Sequence, residues 1–314
     1  MVTDDVSDNA DAEGPKKRCG FVAVIGATNA GKSTLVNALV GTKVSIVSHK
    51  VQTTRAPLRG IAMVGSSQIV FIDTPGIFEP KRRFDKAMVD SAWGGAGDAD
   101  LSLLVVDAVK GVSGDVKQIL GKLGERKAHY FLVLNKVDRV SDKGALLALA
   151  SKLGEFVEFE RVFMVSSTSG DGLDELKRFL AGHVPLGPWH YPEDDVSDAP
   201  MRSVAAEITR EKIFERLHQE LPYAITVETT SWETLRNKSI KVEQTIFVER
   251  DSQKSIVLGK SGSMIKLISS LARSEIGKIV ERPVHLFLFV KVREGWQSDP
   301  ERYREMGLDF PKGS

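Results

Sequence analysis

Gly26-Ala27-Thr28-Asn29-Ala30-Gly31-Lys32-Ser33-Thr34 follows the apolar run Phe21 to Ile25 and opens a helical pattern from Leu35 to Val40. A strand, a loop of the form Gly-x-x-x-x-Gly-Lys-Ser and a helix together make a phosphate cradle. The glycines let the backbone wrap closely enough for successive N–H groups to face an anion, and the following helix adds its positive N-terminus. Lys32 is then placed to reach the β- and γ-phosphates, and the Ser33 hydroxyl to ligate Mg²⁺. A glycine-rich turn without a ligand is the plainer reading, and the Lys-Ser ending argues against it. The loop specifies a nucleotide without saying which.

Outward from this loop, β-rich runs alternate with helical patterns as far as about Leu180: Phe21 to Ile25, Gln68 to Ile72, Leu101 to Val106, Tyr130 to Leu134 and Val162 to Val165. Such alternation predicts an α/β domain with a mainly parallel sheet and functional loops at the carboxyl ends of its strands. Gly182 to Pro200 holds four prolines and the acidic cluster Glu193, Asp194 and Asp195, which marks a linker. The expected organisation is an acidic, disordered tail over residues 1–18, a nucleotide domain over 19–182, a linker over 183–201, a smaller α+β domain over 202–296 and a tail over 297–314.

The chain has 314 residues, long enough for two cores, and 42% of them are hydrophobic. A formal net charge of +1 gives no global argument for a polyanionic partner. The single Cys19 cannot form an internal disulfide, which fits a reducing, cytoplasmic setting, and the six histidines show no zinc spacing. The N-terminus lacks the basic and apolar regions of a signal peptide. No apolar run approaches the roughly 20 residues needed to span a bilayer, which leaves surface attachment open.

Three further segments lie at predicted strand ends. In Asp73-Thr74-Pro75-Gly76 the acidic residue suits the Mg²⁺ shell and the Gly76 N–H a γ-phosphate that is lost on hydrolysis. In Asn135-Lys136-Val137-Asp138 the Asp138 carboxylate can accept from the N1–H and exocyclic amine of guanine, whereas adenine would leave it facing an acceptor. Lys136 would lie along the base, and Asn135 would tie the loop to the base and the phosphate cradle. Ser166-Ser167-Thr168 offers a backbone N–H to the guanine carbonyl. Each segment alone is an acceptable turn, but their order at successive strand ends is not that of ordinary turns. This set resembles the translation-factor-type P-loop GTPases, with Ser167 where Ala is usual. GTP and GDP are the expected ligands, and Asp138 opposes an ATP-driven enzyme.

Between these segments, Gln52-Thr53-Thr54-Arg55 offers a threonine that joins Mg²⁺ only while the γ-phosphate is present, with Thr54 favoured over Thr53. A solvated polar loop is the alternative. Ile77 stands where Ras-type enzymes carry the water-positioning Gln, so slow hydrolysis or another group is expected. Asn29 occupies the position at which GTPases similar in this respect recruit K⁺ against the phosphates. An Asx-type bond that shapes the loop is its other reading. The expected catalytic set is thus Asn29, Lys32, Thr54 and Gly76, with Ser33, Thr54 and Asp73 on the metal.

The second unit opens with the amphipathic spacing Ile208, Ile213, Leu217, Leu221, ending at Pro222. Predicted strands follow over Ala224 to Ser231, Ile240 to Val248 and, briefly, Ser255 to Leu258. Next come the loop Gly259-Lys260-Ser261-Gly262, a helix to about Val280 and a strand over Val284 to Val292. Between Arg236 and Arg293 twelve Lys/Arg stand against five Asp/Glu, an excess of seven that the whole-chain charge hides. Such a loop can clamp about four nucleotides of a single strand. Lys260 and Lys266 would supply charge, and Met264, Ile265 and Ile268 an apolar flank. A helix-start turn without a ligand is the competing view.

The α-β-β-α-β order resembles a bacterial-type KH domain, and its combination with this GTPase set resembles the Era family from Phe21 to about Leu308. Further matching segments are Gln52-Thr53-Thr54-Arg55, Glu220-Leu221-Pro222-Tyr223, Pro283-Val284-His285-Leu286, Val290-Lys291-Val292 and Gly295-Trp296. Thr28 departs from the usual Pro. The resemblance implies a GTPase that binds small-subunit ribosomal RNA near its 3′ end and assists maturation of the small ribosomal subunit, GTP favouring the RNA-competent form. It also implies peripheral contact with the cell membrane. No DNA partner is expected, and the GTPase fold suggests a monomer. A membrane-surface signalling GTPase whose C-terminal domain binds protein or anionic lipid, with Lys266, Arg273 and Lys278 facing headgroups in the latter case, is the alternative function.

Overall fold

The computed structural model describes residues 16–48, 50, 53–126, 129–217, 224–296 and 299–311. The expectations for Gln52, for Glu220 to Tyr223 and for most of the N-terminal tail lie outside these residues.

Strand β1 (Arg18–Ile25) is central to a six-stranded sheet with β2 (Leu58–Val64), β3 (Ser67–Asp73), β4 (Leu101–Asp107), β5 (Tyr130–Asn135) and β6 (Arg161–Val165), in the order β2-β3-β1-β4-β5-β6. All pairings are parallel except β2 with β3. A parallel strand covered on both faces needs apolar residues on both, and all seven residues of β4 are buried. Helices α1 (Lys32–Val40) and α5 (Leu173–His183) cover one face through Leu35, Leu39, Leu176 and Leu180. On the other face, α2 (Arg83–Gly97), α3 (Gly114–Gly124) and α4 (Lys143–Gly154) contribute Ala92, Ile119, Leu120 and Leu153.

The edge strand β2 is absent from the sequence expectation, because Leu58-Arg59-Gly60-Ile61 breaks alternation at Gly60. A side chain there would meet Val36, Val40 and Val44. Arg18, assigned to the acidic tail, opens β1. The linker is a packed strap. Gln68 donates to the Tyr191 carbonyl (2.8 Å) and accepts from the His190 and Tyr191 N–H groups, and the Ile61 N–H donates to the Val196 carbonyl (2.9 Å).

The second unit has a three-stranded sheet, β7 (Thr226–Thr234), β8 (Ile240–Val248) and β9 (Val284–Val292), with β7–β8 antiparallel and β8–β9 parallel. Helices α6 (Met201–Arg216) and α8 (Ser263–Ile279) cover one face. Ser255 to Leu258, expected as a strand, is the last turn of helix α7 (Asp251–Leu258). The Gln253 side chain caps the start of that helix by accepting from the Glu249 and Arg250 N–H groups, and within it only Val257 is buried. The glycine loop therefore joins two helices, and the order is α-β-β-α-α-β. The expected C-terminal tail is also corrected. It carries α9 (Pro300–Glu305), and Tyr303 and Leu308 are buried against Phe84 and Met88 of α2. The apolar positions 303, 306, 308 and 310 make this clasp, although the segment is too short to read as an element.

Candidate functional site

The carboxyl ends of β1, β3, β5 and β6 bring the four predicted segments to one end of the parallel sheet. In the cradle, Asn29 is left-handed (φ 60°), and Gly31 (φ 95°) precedes α1 as a cap without a side-chain acceptor. The first N–H groups of α1 thus keep their capacity for an anion. A Cβ on Gly31 would lie 2.4 Å from the Asn135 amide nitrogen, so glycine is required by contact as well as by backbone angle. Lys32 is buried, its ammonium donating to the Gly26 and Ala27 carbonyls at 3.1 and 3.0 Å. Burial pushes its pKa down to about 8, against the pull of Asp73.

Asp73 is fully buried. Burial pushes its carboxyl up, while hydrogen bonding to Ser33 and the charge of Lys32 oppose the rise. The Ser33 and Thr54 hydroxyls lie 2.9 Å apart, and the Thr54 hydroxyl donates toward Asp73 Oδ2 at 3.5 Å. Asp73 Oδ1 is buried with no hydrogen-bond partner among the described residues. Two hydroxyls beside a carboxylate that keeps one oxygen unpaired are hard oxygen donors of the kind that fits Mg²⁺. The Thr53 hydroxyl turns away and donates to the Lys50 carbonyl (2.8 Å).

Thr74 fastens its loop to β1 by donating to the Val24 carbonyl (2.8 Å), and Pro75 and Gly76 follow buried. The Ile77 N–H bonds the Gly26 carbonyl (3.1 Å), and its side chain is packed in the core with Ala27 and Val89. An apolar group in the core neither reaches nor orients water. Ala27 and Ala30 are buried, whereas Thr28, Ser33 and Thr34 are half-buried along the cleft.

Asn135 ties three loops together. Its amide donates to the Ala30 carbonyl (3.0 Å), and its Oδ1 accepts from the Lys136 N–H (2.8 Å), the Ser167 N–H (3.2 Å) and the Ser167 hydroxyl (2.9 Å). The hydroxyl of Ser167 thus adds a bond that alanine could not make. Lys136, left-handed at φ 66°, donates to the Asn29 carbonyl (2.8 Å) and to Asp107 Oδ2 (2.7 Å). Val137 is anchored in the core, which leaves Asp138 exposed at the mouth. Ser166 is buried, accepting from the Ser169 N–H, and Thr168 is exposed.

Asp107, at the end of β4, escaped the sequence reading. Burial alone would push its carboxyl up, but the Lys136 ammonium and the Val109 and Lys110 N–H groups hold it below the ordinary value. Its signal was an acidic residue closing the apolar run Leu103-Leu104-Val105-Val106.

The loop between α1 and β2 is anchored at both ends. Asn37 of α1 accepts from the Val44 and Ser45 N–H groups (2.9 and 2.8 Å). Farther on, the loop is held by the second domain. Glu211 of α6 accepts from the Val47 N–H (2.8 Å) and pairs with Lys43, which also pairs with Glu275 of α8. Arg210 donates to the Thr53 carbonyl, and Lys50 to the Phe214 and Leu217 carbonyls. Arg55 donates to the Ile225 carbonyl (2.8 Å) and lies 5.7 and 5.6 Å from the ring centres of Phe84 and Trp296. No sequence signal marked Lys43, Arg210, Glu211 or Glu275, because their pairing is long-range.

In the second domain, Gly259 (φ 70°), Ser261 (φ 52°) and Gly262 (φ 76°) are left-handed. A Cβ on Gly259 would meet Met264 at 2.7 Å. Lys260, Ser261 and Lys266 are exposed, and Ile265 packs beside Met264. Among the described residues no helix is long and apolar enough to cross a membrane.

The family description 50S ribosome-binding GTPase matches residues 21–136, and KH domain matches residues 220–297. The chain is 62% identical over 312 residues to GTPase Era of Rhizobium meliloti (strain 1021), covering 99% of each chain. It is 60% identical over 301 residues to GTPase Era of Brucella suis biovar 1, covering 96% of each. Two crystal structures of Era are similar at 35% identity. One, in complex with MgGDPNP and nucleotides 1506–1542 of 16S ribosomal RNA, gives a TM-score of 0.88 and covers 93% of this chain and 99% of that one. The other, an Aquifex aeolicus variant bound to GDP·AlF4⁻, gives 0.87 and covers 92% and 99%.

Proposed function

Since the chain belongs to the Era family of GTPases, we propose that it is a switch in which guanine-nucleotide state governs the grip of the KH domain on the 3′ end of small-subunit ribosomal RNA, in the service of small-subunit maturation. The chain is a GTPase that uses GTP and GDP with Mg²⁺. In this reading Asp138 accepts from guanine, Lys136 lines the base, and Asn135 holds the base loop, the cradle and Ser167 in one arrangement. Lys32 and the N–H groups from Gly26 to Thr34 take the phosphates, and the Gly76 N–H reads the terminal one. Ser33, Thr54 and Asp73 would hold Mg²⁺, which supplies charge for the developing negative charge on the phosphates. With Ile77 in the core, this position supplies no water-orienting glutamine, and Asn29 would help to hold K⁺ as an additional positive charge.

The observation that carries the switch is the bond from Arg210 of α6 to the Thr53 carbonyl, one residue before Thr54. A loop that reorders around Thr54 pulls on the RNA domain directly. The contacts support a path that runs through α6. RNA binds through Gly259 to Gly262 with Lys260, Ser261, Ile265 and Lys266. The test is RNA affinity measured with GDP and with a non-hydrolysable GTP analogue. A difference is expected, and equal affinities would sink the proposal. Lys260→Asp/Ser261→Asp should abolish RNA binding while sparing GTP. It avoids the two glycines, whose replacement would strain the backbone.

A further inference from the structure

Strand β9 is the edge of its sheet, and its side chains alternate between two faces. Val284 and Leu286 are buried on the helix-covered face, so His285, Phe287, Phe289 and Lys291 occupy the opposite one. Phe287 and Phe289 are 48% and 49% exposed. Folding leaves this apolar area in water at two consecutive outward positions, where edge strands more often carry charge.

Side chains two apart on a strand stand about 6.6 Å from each other. Phe287-Leu288-Phe289-Val290 also reproduces the Phe-x-Phe-Val core of the strand on which RNA-recognition-motif sheets stack bases. Cations border the pair. The Lys241 ammonium lies 5.8 Å from the Phe287 ring centre while paired with Glu243 at 2.6 Å, and Lys291 follows Phe289 on the same face. The glycine loop adjoins the reverse side of the same strand. Leu288 and Val290, on the reverse side of β9, pack in one cluster with Met264 and Ile265 at the start of α8. A strand clamped at Gly259 to Gly262 and lying over Met264 and Ile265 would cross the edge of β9, which pairs with no further strand among the described residues, to meet the rings.

We propose that Phe287 and Phe289 form a second RNA contact, stacking two bases of the single strand that runs on from the segment held by the glycine loop. The proposal rests on the RNA-binding reading above, and the experiment separates the two. Full-length protein with a GTP analogue is titrated with labelled single strands from the 3′ end of small-subunit ribosomal RNA, one of about four nucleotides and one of about ten. Phe287→Leu/Phe289→Leu keeps apolar bulk and removes the π-faces. It should bind the short strand like the parent and lose about tenfold per ring on the long one. Phe287→Tyr/Phe289→Tyr should restore the loss. Equal affinity of parent and leucine variant for the long strand overturns the proposal, as does an equal loss on both strands. Loss of binding to phosphatidylglycerol vesicles with RNA binding intact would also overturn it, in favour of a lipid surface. Failure of the underlying reading looks different: Lys260→Asp/Ser261→Asp would then bind the short strand as the parent does.

Discussion

Glu211→Gln isolates the contact between the loop that carries Thr54 and the KH domain. The carboxylate, 3% exposed, accepts from the Val47 N–H and pairs with Lys43 and with Lys212, the latter at 3.0 Å. Glutamine keeps the shape and the bond to Val47 but removes the charge from both lysine contacts. Charge-assisted bonds of this kind contribute about 1.5–3 kcal/mol each. Glu275 also pairs with Lys43 and Lys212, and so absorbs part of the loss. A net weakening of about 2 kcal/mol remains, equivalent to roughly thirtyfold in an equilibrium constant. If this clamp carries the coupling, the ratio of RNA affinities with GTP analogue and with GDP should contract toward one by up to that factor. Guanine-nucleotide binding to the cradle itself should change little. Fluorescence anisotropy with labelled RNA, at one fixed salt concentration, reads the ratio directly. A ratio identical to the parent's would refute direct transmission through α6.

Asn135→Ala leaves the Ala30 carbonyl and the Lys136 and Ser167 N–H groups unpaired. At a total of about 3 kcal/mol, nucleotide affinity should fall roughly a hundredfold, measurable by dissociation of a labelled GDP. Asp107→Asn should speed that dissociation by weakening the hold on Lys136. Because the Asp107 carboxyl is held below its ordinary value, its contribution to stability is complete above the unfolded pKa of 3.8 and lost as pH falls through the lower folded one. The variant should therefore unfold with a shallower acid limb than the parent. Ile77→Gln places an amide in the core and should destabilise by about 2 kcal/mol without accelerating turnover; a faster enzyme would contradict the buried placement. Turnover should be higher in KCl than in NaCl, and Asn29→Ala should erase the difference. Equal rates in the parent remove the role of K⁺.

The nucleotide end of the molecule was legible because its chemistry acts through local backbone. A phosphate cradle needs glycines and Lys-Ser at fixed intervals after a strand, and a parallel strand buried on both faces shows as an unbroken apolar run. Elements whose stability comes from distant partners were not legible. The strand β2 is interrupted by Gly60 because three valines crowd it. The last turn of α7 reads as a strand from Ile256-Val257, yet the Gln253 cap and the single buried Val257 make it helical. Likewise α9 is too short to show helical periodicity, and it is held by Phe84 from far upstream.

The sequence alone determined the class of ligand, since the four loop segments in their order specify a guanine nucleotide, with Asp138 the proposed acceptor for its base, and it determined the presence of a glycine loop of the RNA-binding type after a linker. Only the tertiary structure decided how the two halves are joined. Lys43 and Glu275 are 232 positions apart, and no local preference pairs them. They meet because burying the faces of α6 and α8 brings both helices against the loop that Asn37 holds at its start. Charge pairing across such a distance is a consequence of packing, and packing is a property of the whole chain.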